Sequence, residues 1–261
     1  MPPLWIDHAL WILNGNLRLL STVRGSKEPG QEQFVEVDNS VDDIVLRLQE
    51  ILLQAPHGQL RMDGLKVHVG SPWIKYDIVP WQEGLRKPAD WAGYARIIMG
   101  QHFGTDAQGW HVTVADGAYG EPRVVASIDD VLYQAILSFA KSQRLQIRSF
   151  ETALFSTANM FADQLVATEF ALLVLELKFA SCAFYREGAW QGVGAFPTHN
   201  QKPDGAQLAA VLRDAAMLTS TFLPTQVYLS SYAQMPRDLQ GMAGFTPKWL
   251  GLSYPQEITA R

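Results

Sequence analysis

The chain has 261 residues, of which 48% are hydrophobic and 18% charged, and its formal net charge at pH 7 is −5. This length can bury a substantial core in one large domain or two small ones, and the composition is that of an ordered protein. The negative balance excludes the strong basic field typical of nucleic-acid binding, so we expect no nucleic-acid partner. The single cysteine, Cys182, excludes an internal disulfide framework and is expected to be a buried, inert thiol.

The sequence shows no targeting or membrane-spanning segment. Asp7 and His8 interrupt the apolar stretch near the N-terminus, and no basic region precedes it, so a secretory signal is not expected. The longest apolar run, 170–175, is far shorter than the ~20 residues that span a bilayer. We therefore expect a cytoplasmic protein without direct membrane insertion, and recruitment to the inner membrane by a partner is left open.

The first part of the chain predicts three strands, a helix and a fourth strand. Asn14-Gly15 separates two apolar, strand-like runs, which is the strongest short-range signal of a hairpin. Asp38-Asn39-Ser40 offers caps for a helix whose apolar residues recur at helical spacing. We predict these elements at 4–13, 16–23, 34–37, 41–54 and 65–69.

A different unit, in the order strand, helix, strand, strand, helix, follows this first part. Pro88 suits the first turn of its first helix, and Asp129-Asp130 places acidic charge at the start of the second. A short strand and a helix then lead to a second set of three strands, a helix and a strand. The elements are predicted at 73–80, 89–103, 110–116, 123–127, 129–144, 145–148, 152–163, 168–180, 181–188, 189–197, 205–221 and 225–231. The tail, 233–261, is expected to be irregular or a packed C-terminal arm.

Two copies of a βββαβ plan around an inserted α+β unit resemble the actin-like, RNase H-like α/β fold. The resemblance implies a first half at 1–150, which includes an inserted subdomain at about 73–144. It implies a second half at 151–261, which includes the C-terminal arm.

An actin-like ATPase holds phosphate at two turns that carry Asp and Gly, because backbone N–H groups must approach the phosphates without a side chain in the way. The first candidate turn, Asp7-His8-Ala9, has Ala9 where glycine is needed, and the second, Glu176 to Ser181, has no glycine. A glycine-rich adenosine turn should follow the last strand, but residues 230–235 contain none. We therefore predict a degenerate site at Asp7, Ala9, Glu176 and Ser181, with no cofactor and no catalytic residue.

Other catalytic and metal motifs are absent from the sequence. The six histidines form no close pair, and neither HExxH, CxxC nor GxSxG occurs, so no metal site is predicted. One enzymatic alternative stays open, a small-molecule kinase or hydrolase on the same fold with an atypical acidic site. That alternative requires Asp7, Asp116 or Glu176 to converge on one cleft.

The order of elements resembles the actin-like proteins of type IV pilus and type II secretion machines, the PilM family and the cytoplasmic domain of GspL. The run Ile74 to Trp81 resembles their strand that ends in a hydrophobic-proline turn, and 168–190 resembles their hairpin with Gly-Trp. The passage from the helix at 128–144 into Leu145-Gln146-Ile147 is also similar. The similarity covers about residues 4–232.

The resemblance implies a scaffold with protein partners rather than an enzyme. PilM-like members are implied to bind ATP and a peptide of the membrane protein PilN, and GspL-like members to dock the secretion ATPase. The expected partner is thus an inner-membrane pilus or secretion component or the assembly ATPase. Trp73 and Trp81, which flank a predicted strand, are the candidate partner-binding residues, although a single tryptophan more often belongs to a core.

Overall fold

The structure is a computed structural model that describes residues 3–26, 28, 30–59, 62–104, 107–198, 200, 202–233 and 238–254. In chain order its elements are β1 (Ile6–Leu13), β2 (Asn16–Val23), β3 (Gln31–Glu36), α1 (Val41–Gln54), β4 (Gly64–Val69), β5 (Ile74–Val79), α2 (Pro88–Phe103), β6 (Trp110–Val114), β7 (Arg123–Asp129), α3 (Asp130–Ser142), β8 (Gln146–Thr152), α4 (Ala153–Met160), β9 (Glu169–Glu176), β10 (Phe179–Arg186), β11 (Ala189–Pro197), α5 (Gly205–Thr219), β12 (Gln226–Ser231) and β13 (Thr246–Leu252).

The first five-stranded sheet has the order β3-β2-β1-β4-β8. The hairpin that Asn14-Gly15 predicts joins β1 to β2, with Gly15 in the left-handed region at φ 72°. β4 pairs parallel to β1, and β8 pairs parallel to β4. Helix α1 is capped by Ser40, whose side chain accepts from the Asp43 N–H, and it buries one apolar stripe in the core.

The second five-stranded sheet repeats this plan in the order β11-β10-β9-β12-β13. Its first strand, β9, again pairs antiparallel with the next strand and parallel with the strand that follows the helix. Helix α5 begins with a capping box formed by Asp204 and Gln207. The tail differs from expectation, because residues 246–252 form β13, which pairs parallel with β12. Residues 234–237 and 255–261 of the predicted arm lie outside the described residues.

The inserted unit has its own small sheet, in the order β5-β7-β6, with α2 packed against it. Its core contains Val79, Trp91, Ala95, Met99, Val112 and Val125. Helix α3, at the end of the predicted insert, contacts α1 as well as β6 and β7, and its Leu132 and Ile136 join the main core. Ile74 and Tyr76 of β5 belong to the same core, so the extent of the insert at about 73–144 stays a prediction.

The two halves share one continuous core. The largest buried cluster combines Leu10 and Val67 of the first sheet with Leu172 and Val174 of the second, and α4 contributes Leu154. The boundary between the halves at residue 150 stays a prediction, because the main buried cluster contains residues from both sides of it. Among the described residues, none of the helices has the length and apolar character needed to cross a membrane.

Candidate functional site

The turn between β1 and β2 is formed by Asn14 and Gly15, at the carboxyl end of β1. Asp7 and Ala9, which the sequence offers as the first candidate phosphate turn, lie within β1 near its start, paired with Thr22 and Leu20 of β2. Asp7 forms an ion pair with Arg24, whose Nε donates to Oδ2 at 2.9 Å, and this bond lowers the pKa of the Asp7 carboxyl. Asp7 therefore serves as a strand-end partner of Arg24 and does not point toward the cleft between the sheets.

The equivalent turn of the second sheet is shorter than the sequence suggests. Leu177 and Lys178 connect β9 to β10, and Lys178 adopts φ 62° without glycine. Glu176 is the last residue of β9, and Ser181 lies inside β10, where it is fully buried.

The two turns contact each other directly. The Asn14 Nδ2 group donates a hydrogen bond to the Leu177 carbonyl at 2.8 Å. Asn39 holds Asn14 in place, because its Nδ2 donates to Asn14 Oδ1 at 2.9 Å and its Oδ1 accepts from the Gly15 N–H at 2.7 Å. Intramolecular hydrogen bonds thus occupy the space between the two turns.

Next to the contact between the two turns, the carboxyl group of Glu176 forms a second connection between the two halves of the chain. It accepts from the Ser71 N–H at 2.7 Å and from Ser181 Oγ at 2.9 Å. Gly70 makes room for it, since a Cβ at residue 70 would lie 2.0 Å from Oε2. Burial raises the pKa of Glu176 to about 7, against the lowering effect of the two hydrogen bonds.

The comparisons with known proteins give a fold but no family. No protein-family model matches the chain, and no curated protein matches it either. A Bacteroides thetaiotaomicron protein with actin-like ATPase fold and unknown function aligns over 91% of this chain and 85% of its own, at TM-score 0.58 and 9% identity.

Two further solved structures are similar to this chain. The cytoplasmic domain of EpsL, an inner membrane component of the type II secretion system of Vibrio cholerae, aligns over 95% of this chain and 90% of its own, at TM-score 0.59 and 9% identity. A chain of the PilM-PilN type IV pilus biogenesis complex aligns over 94% and 88%, at TM-score 0.63 and 12% identity.

The chain has the actin-like fold. These similarities confirm the predicted fold class and the predicted resemblance to PilM and to the cytoplasmic domain of the type II secretion protein. The turns Asn14-Gly15 and Leu177-Lys178 each follow the first strand of a five-stranded sheet, whereas Asp7 and Ala9 lie near the other end of β1. A degenerate phosphate site at Asp7, Ala9, Glu176 and Ser181 stays a prediction.

The described part of the segment where an adenosine turn is expected packs into the protein. Tyr232 follows β12, is buried, and donates from its hydroxyl to the Ala153 carbonyl at 2.9 Å. Its N–H donates to the Leu175 carbonyl at 2.9 Å. Ser230 to Ala233 are described, whereas Gln234 and Met235 of this predicted turn lie outside the described residues.

The three carboxylates of the enzymatic alternative do not converge. Asp7 lies opposite Gly64, the first residue of β4, whereas Glu176 contacts Gly70, just past its last residue. At about 3.3 Å per strand residue these sites are roughly 20 Å apart. Asp116 lies in an exposed segment of the insert, after β6. The condition that the enzymatic alternative requires is therefore not met.

An open groove of about 810 Å³ lies elsewhere in this actin-like molecule, between the insert and the second sheet. Consecutive residues of β5 (74–78) and β11 (193–196) line it, and both strands are the outermost of their sheets. Successive side chains of a strand point to opposite faces of its sheet. Because neighbouring residues of each strand all line the groove, the groove must lie along the edges of the two strands and not along one face. Its apolar walls include Phe103, Phe179, Phe196 and Leu218.

The groove also carries charge at one end. Asp77 of β5 lies 2.6 Å from His102 Nδ1 of α2, and the neighbouring Lys75 also lines the groove. Trp73 and Trp81 are not among the described residues that line it. Trp73 packs against the main core. Trp81 makes tilted ring contacts with Trp91 and with the exposed Tyr119, at centroid distances of 5.4 Å and 4.7 Å. Their role in partner binding stays a prediction.

One cluster of side chains that could hold a metal ion has no signal in the sequence. His8, His57 and Asp63 come together, with one potential ligand atom from each within 4.8 Å of the others. His8 and His57 are distant in sequence, and the spacing between His57 and Asp63 matches no known motif. Only the pairing of β4 with β1, which carries the preceding loop to the start of β1, brings the three together.

Proposed function

We propose that this protein is a docking platform for a protein partner and that it performs no nucleotide chemistry. The observation that carries the proposal is the direct bonding of the two turns at the cleft, Asn14 to Leu177, beside the buried Glu176 carboxyl group. A nucleotide phosphate needs free backbone N–H groups at those turns. Here side chains and carbonyls of the protein itself occupy that space.

The partner's binding site is the groove between the insert and the second sheet. Two strand edges border it, and an extended peptide can add to such an edge through its main-chain hydrogen bonds. The apolar walls favour a segment with apolar side chains at alternate positions. We therefore assign the groove to an extended, apolar segment of a partner protein.

The expected partner belongs to a pilus-like or secretion-like machine at the inner membrane. Support comes from the similarity of this fold to the cytoplasmic domain of EpsL, an inner membrane component, and to the PilM-PilN complex. On this proposal the protein is cytoplasmic, and a membrane component or the assembly ATPase recruits it to the inner membrane.

Thermal unfolding with and without Mg-ATP tests the first part of the proposal. We expect the same Tm with millimolar Mg-ATP as with Mg²⁺ alone. A nucleotide present at 100 times its Kd would add about 2.7 kcal/mol of stability and raise Tm by several degrees. A rise of that size would overturn the claim that the cleft is closed to nucleotide.

A pair of adjacent exposed residues on α5 tests the groove. Leu218 lines it and is 74% exposed, whereas Met217 does not line it and is 83% exposed, so either side chain can be replaced without a cavity. A photo-crosslinking residue at 218 should capture an inner-membrane machine component or its ATPase, and one at 217 should not. With that purified partner, Leu218→Asp should weaken binding at least tenfold and Met217→Asp should not. Equal effects of the two variants would refute the groove as the site.

A further inference from the structure

The cluster of His8, His57 and Asp63 lies at the opposite end of β1 from the cleft. His8 is the third residue of β1 and shares a buried strand face with Ile6 and Leu10. His57 and Asp63 belong to the loop between α1 and β4. Asn14 follows His8 by six residue steps, roughly 20 Å along the strand, so this cluster is separate from the cleft.

His8 carries a buried ring nitrogen without a partner. The residue is 1% exposed, and its Nε2 atom has no hydrogen-bond partner among the described residues. An unsatisfied buried polar atom typically costs about 1–3 kcal/mol, so such an atom calls for an explanation.

The other ring nitrogen of His8 is already held. Nδ1 lies 2.9 Å from Ser21 Oγ, on the neighbouring strand β2. When Nδ1–H donates to that oxygen, Nε2 retains its lone pair. A metal-binding histidine almost always has its second nitrogen oriented in this way by a hydrogen-bond acceptor.

Asp63 is oriented before any ligand arrives. Its Oδ1 accepts from the Ile6 N–H at 2.9 Å, and its Oδ2 accepts from the Gly58 N–H at 3.1 Å. Gly58 allows this close approach, because a Cβ there would lie 2.6 Å from Oδ1 and 2.5 Å from the Leu4 carbonyl. Asp63 itself is 2% exposed.

His57 completes the set and provides access from solvent. Its Nδ1 lies 3.5 Å from Asp63 Oδ2, close to the roughly 3.3–3.5 Å that separates ligands around a tetrahedral ion bound at about 2.0–2.2 Å. The His57 side chain is 43% exposed, so it can turn by the small amount needed to draw the three ligand atoms together. The ligand atoms of the cluster are otherwise within 4.8 Å of one another.

We propose that His8, His57 and Asp63 form a binding site for a divalent transition-metal ion of the Zn²⁺ class. Three protein ligands leave the fourth tetrahedral position to water or to another ligand. Two imidazoles and one carboxylate favour Zn²⁺, Co²⁺ or Cu²⁺ over Mg²⁺ and Ca²⁺, which prefer all-oxygen sites. The ion would tie the loop before β4 to the start of β1.

The first experiment is calorimetric titration of untagged, chelator-treated protein with Zn²⁺. We expect one ion per chain and a Kd in the micromolar range or below, with no comparable binding of Mg²⁺. His57→Ala should weaken Zn²⁺ binding by more than the ~10–100-fold that loss of an outer-sphere partner costs. His102→Ala removes a histidine that is also exposed but lies in the groove, and it should leave Zn²⁺ affinity unchanged.

Co²⁺ provides a second measurement that does not depend on a variant. The intensity of its visible d–d bands distinguishes four-coordinate from six-coordinate geometry, and we expect the intense, four-coordinate spectrum. The buried Cys182 is far too inaccessible to supply a competing thiolate. Equal Zn²⁺ affinity of the wild type and His57→Ala, or a weak six-coordinate Co²⁺ spectrum, would overturn the assignment.

Discussion

The cleft between the two five-stranded sheets and the groove beside the insert differ in what borders them. Side-chain hydrogen bonds cross the cleft, where Asn14 meets Leu177 and Glu176 meets Ser71. The groove is bordered by two outermost strands and by apolar side chains such as Phe196 and Leu218. The contrast shows that the protein's own hydrogen bonds cross the centre of the molecule, whereas two outermost strands border the groove on which the docking proposal rests.

The largest expected effect is the pH dependence of stability that the buried Glu176 carboxyl group in the cleft causes. Because the pKa of Glu176 is raised from 4.5 to about 7, the folded state holds its proton more tightly than the unfolded state. This contribution is fully present below pH 4.5 and is lost as pH rises toward about 7. At about 1.4 kcal/mol per pH unit, the loss is about 3 kcal/mol.

Glu176→Gln keeps the shape of the side chain and removes the titration. Buried His8, with its pKa lowered to about 4, acts in the opposite sense, since its contribution is lost as pH falls below 6.5. The informative quantity is therefore the difference between the unfolding free energies of the wild type and Glu176→Gln, measured from pH 4.5 to 8 in the presence of chelator. A difference that does not change with pH would mean that the carboxyl group is not buried as described.

Gly70→Ala tests how tightly the cleft is packed. The added methyl group would overlap the Glu176 carboxyl group and Leu13, so we expect a loss of about 1–3 kcal/mol in the free energy of unfolding. Gly93→Ala is the matched control, because no atom lies within 4 Å of its added Cβ in α2. Alanine is the better helix former by about 1 kcal/mol, so this control should be neutral or stabilising. Chemical denaturation measures both, and a neutral Gly70→Ala would indicate an open cleft.

Asn14→Ala removes the hydrogen bond that joins the two turns. Asn14 is buried and also accepts from Asn39, so the variant leaves the Leu177 carbonyl and one Asn39 donor without their partners. We expect a loss of about 1–3 kcal/mol, toward the lower end because water can reach the turns. Asn16→Ala, which removes only a local bond to the Asn14 carbonyl, is the control and should cost less. Equal costs would contradict the bridging role of Asn14.

The smallest stability effect is expected at the groove. Leu218→Asp and Met217→Asp both change exposed side chains at the end of α5, so each should alter the free energy of unfolding by no more than about 0.5 kcal/mol. A loss above 1 kcal/mol for Leu218→Asp alone would mean that Leu218 closes the groove rather than borders it. If the two variants are nearly equal in stability, a difference between them in partner binding reports the contribution of Leu218 to the groove and not a loss of folding.

Local patterns in the sequence predict the elements and their order. Asn14-Gly15 marks a hairpin because only certain residues suit its turn, and the apolar stripe of α1 marks a helix that faces a core. β13 escapes this kind of reasoning, since Pro247 and Gly251 weaken its strand signal and its partner β12 lies about 20 residues earlier. Its strand character comes from pairing rather than from local preference.

The sequence by itself determined the two βββαβ sets, the insert between them and the lack of glycine at the second turn. Only the tertiary structure decided that hydrogen bonds cross the cleft and that two histidines and an aspartate meet. Ser71 and Glu176 are 105 residues apart, and no local pattern records that a glycine beside Ser71 admits a carboxyl group from the other half. Local preference acts over a few residues, whereas contacts between halves depend on how parallel strands bring distant loops together.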